Sequence, residues 1–180
     1  MRKLVLMMSV SVDGFVAGPH QHPGEFPEPD QLKRWKLDRI RKAGTHIMGR
    51  TTYEEMAAYW PTSTDEYAAP MNEIPKVVFS NTLDKAAWAK SSIARGDLPD
   101  EIAALRRQPG GDIIAWGGAT FAQSLSRAGL IDEYVLVINP VVFGNGLPMF
   151  RDLSEALQLE LLEARAFDSG VVLHVYKPKR

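Results

Sequence analysis

Three short stretches carry the residue types that hold a phosphorylated ligand. Trp116-Gly117-Gly118-Ala119-Thr120 follows the apolar run Ile113-Ile114-Ala115 and leads straight into a helical pattern of Ala119, Phe121, Ala122, Leu125 and Ala128. Glycines let a backbone approach a ligand closely, and a helix start offers unpaired N–H groups and a positive dipole end to an anion. Gly-Gly is also ordinary turn chemistry, so a plain turn is the competing reading. Met48-Gly49-Arg50-Thr51-Thr52 sets an arginine beside two hydroxyls at a helix start, a second phosphate-binding pattern. A capped helix with a solvated arginine fits the same residues. Phe79-Ser80-Asn81-Thr82 is the third stretch, a strand that closes on polar side chains.

Groups able to move a proton are few. Asp13 stands where the first strand meets a loop, a place suited to a polar substrate contact or an acid role; Asp13-Gly14 also reads as a strand-ending turn. His20 and His22 lie in that loop, where they can donate a proton or simply face solvent. Their i,i+2 spacing without a third ligand makes a poor metal site. His46 and His174 fall within strands and read as structural. Trp35, Trp60 and Trp116 read as core or pocket wall, with Trp116 nearest the Gly-Gly turn. The chain has no cysteine, which removes disulfides, thiolate metal sites and a thiol nucleophile, and is compatible with a cytoplasmic address. Neither G-x-G-x-x-G after the first strand nor G-x-x-x-x-G-K-[ST] occurs.

These groups need a scaffold, and 180 residues suffice for one domain, residues 1–180, with a sizeable core. A net charge of -1 makes no electrostatic case for nucleic acid or an acidic membrane surface. No stretch approaches the roughly 20 apolar residues of a membrane span. Met1-Arg2-Lys3 ahead of an apolar run mimics a signal peptide, but Ser9, Ser11 and Asp13 interrupt it, so a first strand is expected.

That strand, Leu4 to Val12, is nearly continuously apolar, as in a central strand buried on both faces. Ala17 to Pro29, rich in Gly and Pro, is a long loop: a lid over a site or an insertion. A helix is predicted from Pro29 to about Ala43, with Leu32, Trp35, Ile40 and Ala43 inward. After the strand His46-Ile47-Met48, a capping box of Thr51 with Glu54, or Thr52 with Glu55, opens a second helix that Trp60-Pro61 ends. A polar linker through Pro70 and Pro75 reaches the strand Lys76 to Phe79. Asp100 to Arg107 is a modest helix, and Val135 to Val142 is a strand ending near the turn Gly144-Asn145-Gly146. Leu157 to Phe167 and Val171 to Tyr176, joined by Asp168-Ser169-Gly170, form an antiparallel hairpin. The order predicts an α/β fold: a mostly parallel mixed sheet flanked by helices, with the hairpin at its edge. In such a sheet the three polar strand ends share one edge, the edge where ligands bind. A dinucleotide with an extra phosphate suits that edge.

Four pieces in order resemble the dihydrofolate reductase-like superfamily, and within it the RibD C-terminal domain family of riboflavin-pathway reductases. They are Ser9-Val10-Ser11-Val12-Asp13-Gly14-Phe15-Val16-Ala17, Ile47-Met48-Gly49-Arg50-Thr51-Thr52-Tyr53-Glu54, Trp116-Gly117-Gly118-Ala119-Thr120-Phe121, and Leu130-Ile131-Asp132-Glu133 through Pro140-Val141-Val142-Phe143-Gly144-Asn145-Gly146. The resemblance implies a three-layer dihydrofolate reductase-like fold and NADPH as cofactor. Gly49, Arg50, Thr51 and Thr52, with Ser80 and Asn81, match the positions that hold the adenosine 2′-phosphate. Gly117, Gly118, Ala119, Thr120 and Phe121 match the pyrophosphate turn, and Ala17 lies in the loop that closes over nicotinamide. Asp13, Asn139 and Gly144 match the substrate side, with a bend between two strands as the competing reading of Asn139 and Gly144, and Asp13 and Asp30 are the catalytic candidates. Glu28 is a second candidate for the acid near the first helix.

The implied reaction is hydride transfer from NADPH to a small heterocyclic or carbonyl substrate, closest to 5-amino-6-(5-phosphoribosylamino)uracil reduction. A true dihydrofolate reductase and a non-catalytic NADPH or pterin-binding module are the alternatives. The chain departs from the pattern in two places: no deaminase half is present, and Trp60 to Pro75 lacks the Asp-Asp-Pro…Arg pattern. A homodimer built on the terminal hairpin is a further implication.

Overall fold

The structure is a computed structural model, and it describes residues 1–20 and 26–179. Part of the predicted loop, with His22, lies outside the described residues. The chain alternates strands and helices: β1 (Leu4–Ser11), β2 (Phe15–Ala17), α1 (Asp30–Ile40), β3 (Thr45–Gly49), α2 (Arg50–Tyr59), α3 (Ala68–Glu73), β4 (Lys76–Phe79), β5 (Ser91–Ala94), α4 (Leu98–Arg107), β6 (Ile113–Ala115), α5 (Ala119–Arg127), β7 (Glu133–Asn139), β8 (Leu147–Pro148), β9 (Leu159–Ala166) and β10 (Val172–Pro178). Eight strands form one sheet in the order β5-β4-β3-β6-β1-β7-β10-β9, and β2 pairs with β8 in a small second sheet. The six strands from β5 to β7 run parallel, while β10 pairs antiparallel with both β7 and β9. The structure thus has the mostly parallel sheet with an antiparallel edge expected from the sequence.

Side-chain alternation along β1 divides the core. Val5 and Met7 face one layer, with Leu32, Leu37 and Ile40 of α1, Tyr53 of α2 and Met71 of α3. Leu4, Leu6, Met8 and Val10 face the other, with Ile102 and Leu105 of α4 and Ala122 and Leu125 of α5. A strand buried on both faces must be apolar at every position, and the β1 sequence LVLMMSVS nearly is.

Several local expectations need correction. Neither Thr51 nor Thr52 closes a capping box: the N-cap of α2 is Gly49, two residues before Thr51, with no side-chain cap bond. The Thr52 hydroxyl accepts from the Gly118 amide instead. The polar linker contains the short helix α3, whose Pro70 and Met71 are buried. Helix α1 stops at Ile40, and Leu37 joins its inner face. Strand β5, too polar to show a period, is held by its parallel register with β4. Arg2, which resembled a signal-peptide charge, is buried. Its guanidinium donates to the carbonyls of Gly111 and Leu105 and to the Thr45 hydroxyl.

Candidate functional site

Parallel strands need right-handed crossovers, so the direction of each step across the sheet dictates which face its helix takes. From β1 through β3 to β4 the chain steps one way, and α1, α2 and α3 pack on one face. From β5 through β6 to β7 it steps back, and α4 and α5 pack on the other. Strands β3 and β6 are neighbours, and the helices that leave their C-terminal ends diverge to opposite faces. A crevice is forced open at that point, with the N-termini of α2 and α5 on its two sides.

The crevice holds two adjoining chambers. The outer one, about 430 Å³, is lined by Gly49, Arg50 and Thr51 of the α2 start, Ala119, Thr120 and Phe121 of the α5 start, and Phe79. The inner one, about 230 Å³, lies against β1 and is walled by Met7, Met8, Ser9, Lys36, Met56 and Trp116. Thr52, Glu55 and Gly118 line both. The floor of the outer chamber is aromatic: the Phe79 and Phe121 rings lie 5.1 Å apart.

Bonds across the crevice set its shape. Gly118 N–H, at the N-cap of α5, donates to Thr52 Oγ1 at 2.7 Å, which ties the two helix starts together. Gly117 adopts φ +74°, and the Gly117–Gly118 peptide is cis. At the rim, Arg50 Nε donates to Glu54 at 2.8 Å and Nη1 to Thr82 Oγ1 at 2.9 Å. The guanidinium is thereby aimed between α2 and the turn after β4 while remaining about half exposed. Ser80 Oγ accepts from the Thr82 and Leu83 amides and builds that turn.

Thr52→Val removes the acceptor of the Gly118 amide at constant volume. The expected cost is about 1 kcal/mol of stability, from a partly buried donor that loses its acceptor, read by urea unfolding.

The substrate-side candidates form a separate group at the ends of β1 and β7. Asp13 Oδ1 accepts from Ser11 Oγ at 2.6 Å and the Phe143 amide, and Oδ2 accepts from Gly144 N–H at 2.7 Å. The Ser11 hydroxyl, with the Gly144 and Phe143 amides behind it, holds the Asp13 carboxyl below the usual carboxylate range. Asp13 is therefore an ionised clamp on the 143–144 loop. Asn139 is buried and donates to the Val10 and Val137 carbonyls, fastening β7 to β1. Ala17 is buried in β2 opposite Leu147, and Gly146 packs against its carbonyl. Asp30 is an exposed residue in the first turn of α1 and lines neither chamber. Glu28 reaches the inner chamber indirectly: its Oε1 accepts from Lys36 Nζ at 2.5 Å and its Oε2 from the Tyr67 hydroxyl at 3.1 Å. Burial and then the Glu28 charge push the Tyr67 hydroxyl far up, so it stays protonated.

Sequence reasoning missed Met8, Ser9, Lys36, Glu55 and Met56 as chamber walls. A signal existed for part of the set, because Thr52, Glu55 and Met56 share one face of a helix at i, i+3 and i+4. Lys36 carried none. It stands among the basic residues of α1 that otherwise read as a solvated face.

Among the described residues no helix is long and apolar enough to cross a membrane, and no cluster of His, Cys, Asp or Glu is arranged to hold a metal.

Comparison with known proteins bears on this architecture. The chain is 30% identical over 184 residues to the uncharacterized protein YyaP of Bacillus subtilis (strain 168), covering 97% of this chain and 94% of that one. A putative riboflavin biosynthesis protein from Shewanella sp. PV-4 superposes with a TM-score of 0.81 at 22% identity, over 100% of both chains. Dihydrofolate reductase from Enterococcus faecalis, complexed with NADP(H) and RAB-propyl, superposes with a TM-score of 0.67 at 17% identity, over 99% of this chain and 97% of that one. The fold is therefore dihydrofolate reductase-like. The family model for the RibD C-terminal domain matches residues 2–173. The chain belongs to the RibD C-terminal domain family.

Proposed function

We propose that this protein is an NADPH-dependent reductase that delivers a hydride to a small heterocyclic or carbonyl substrate, of the type that reduces 5-amino-6-(5-phosphoribosylamino)uracil. The observation that carries this reading is the convergence of two helix N-termini, α2 and α5, on one crevice beside an exposed arginine. The residues fit a dinucleotide. The α5 start presents backbone N–H groups and a positive dipole end to the crevice. The kinship to a riboflavin-pathway family supports the reaction class.

In this reading Gly117, Gly118, Ala119 and Thr120 hold the pyrophosphate, and Arg50, Thr51 and Thr52 hold the adenosine 2′-phosphate with Ser80 and Asn81 shaping the rim. The bound cofactor supplies the hydride. Trp116, Met8 and Met56 form a largely apolar wall that keeps water from the reacting carbon. Asp13, already ionised, positions the substrate-side loop through Phe143 and Gly144 rather than giving up a proton. Glu55, exposed where the two chambers meet, is the carboxylate placed to pass a proton from solvent. Asp30 serves the α1 dipole. We also propose a cytoplasmic homodimer, with β9 as the contact: this edge strand leaves Leu161 and Leu162 about half exposed.

Fluorescence titration with NADPH and NADH in parallel tests the reading. NADPH is expected to bind much more tightly. Arg50→Leu is expected to weaken NADPH on the order of 10- to 100-fold while leaving NADH little changed, the worth of a charged hydrogen bond to a phosphate. Failure of the protein to bind either dinucleotide overturns the proposal.

A further inference from the structure

His46 is fully buried in β3, and Trp116 follows β6 on the neighbouring strand. The parallel register sets His46 opposite Ile114. Side chains two residues apart share a face of a strand, so Trp116 falls beside the imidazole on the α1–α3 face. The indole Nε1–H donates to His46 Nδ1 at 2.9 Å, and the two rings meet edge-on with centroids 5.6 Å apart.

That bond defines the state of the ring. Nδ1 accepts, so the imidazole is neutral with its proton on Nε2, which is buried without a hydrogen-bond partner among the described residues. Two other groups act on the ring: the Pro70 backbone of α3, which favours a second proton, and Lys76 of β4, whose charge opposes one. Trp116 in turn walls the inner chamber, and Gly117 and Gly118 follow it directly.

We propose that His46 is a positioning residue: as a neutral acceptor it fixes the Trp116 indole as the chamber wall, and with it the Gly117-Gly118 turn that receives the ligand. What the site needs from His46 is an acceptor at the Nδ1 position, not a charge and not an acid. The proposal rests on the reductase reading only for the identity of the ligand. A doubly protonated ring would turn its Nδ1–H against the indole N–H and break the contact. Burial holds the ring neutral down to about pH 4, so ligand binding is flat through the range in which an ordinary histidine titrates.

Three substitutions separate acceptor from bulk. His46→Leu fills the space with no acceptor, His46→Asn places an amide oxygen near the Nδ1 position, and His46→Gln places it near Nε2. The first readout needs no ligand. In 15N-labelled protein the Trp116 indole signal, assigned by its loss in Trp116→Phe, is expected to move and to exchange faster with solvent in H46L and H46Q, and to stay near its place in H46N. The second readout is NADPH affinity, expected to fall on the order of tenfold in H46L and H46Q and to recover in H46N, with no break between pH 8 and 5.5. Should H46L fail to fold, H46N and H46Q carry the same comparison.

An unmoved Trp116 indole signal in H46L or H46Q overturns the proposal, and so does an H46N protein as impaired as H46Q. If the unsubstituted protein binds neither NADPH nor NADH, the reductase reading falls, and the indole comparison still decides whether His46 sets the wall.

Discussion

Gly117→Ala is expected to destabilise the protein by about 2–5 kcal/mol and to abolish dinucleotide binding. Two costs add. The backbone sits at φ +74°, where a Cβ costs about 1–2 kcal/mol. That Cβ would also lie 2.6 Å from Met8 Sδ, so the thioether must move within a packed layer, at about 1–3 kcal/mol. Met8 walls the inner chamber, and its displacement drives side-chain volume into the space a ligand would fill. The adjacent glycine supplies the control. Gly118 has φ -56°, and its Cβ would meet Thr52 Oγ1 at an ordinary 3.4 Å. Gly118→Ala is therefore expected to cost less than about 1 kcal/mol of stability. Urea unfolding of both variants checks the contrast, with a dinucleotide titration of G117A alongside. Equal stability of the two variants would sink the account of Gly117.

The layered fold was legible because its strongest signals are periodic. The unbroken apolar run of β1 announces a strand buried on both faces, and strands alternating with helices announce parallel crossovers. What the pattern hid was held by long-range partners. Strand β5 is Ser-Ser-Ile-Ala and exists because β4 offers it a register. Helix α3 begins with two alanines and a proline, and its C-terminal carbonyls are satisfied by Lys76 Nζ reaching back to Met71, Asn72 and Ile74. No local propensity encodes that bond.

The site divides the same way. Gly49, Arg50, Thr51 and Thr52 and the residues from Gly118 to Phe121 gather at one crevice because they end neighbouring strands, and strand ends can be read from sequence. The capping-box reading of Thr52 failed because a better donor, the Gly118 amide, arrives from 66 residues away. Lys36 reaches the inner chamber from a helix whose charged face looked solvated, and Glu28, just ahead of that helix, accepts from its ammonium. The direction such a face takes is set by packing against Tyr67 of the α3 segment, whose ring lies 5.8 Å from the Lys36 ammonium. Spacing on α1 alone carries no trace of it.

Two buried bases, His46 and Lys76, leave marks of the same sign on the pH dependence of stability, in two separate windows. Burial lowers His46 from 6.5 to about 4. Between those values the unfolded chain binds the proton and the folded one refuses it, so stability rises with pH across the interval. The contribution is complete above pH 6.5 and is lost as pH falls to 4, by about 3 kcal/mol. Lys76 is pushed from 10.5 down to about 8, first by burial and then by Lys90. The sign is again that of a depressed pKa, but the window is alkaline: the buried ammonium costs stability at neutral pH, and the cost is relieved as pH rises from 8 to 10.5. Three carbonyl acceptors and the Trp88 ring, 4.4 Å away, offset part of what burial takes. Urea unfolding from pH 4.5 to 10, on the protein and on His46→Asn and Lys76→Met, separates the two. His46→Asn is expected to flatten the acid limb alone, and Lys76→Met the alkaline limb alone. An acid limb unchanged by the loss of the imidazole would show that the folded ring takes its second proton near pH 6.5 like a free one, and the bond from the Trp116 indole would then be lost below that pH.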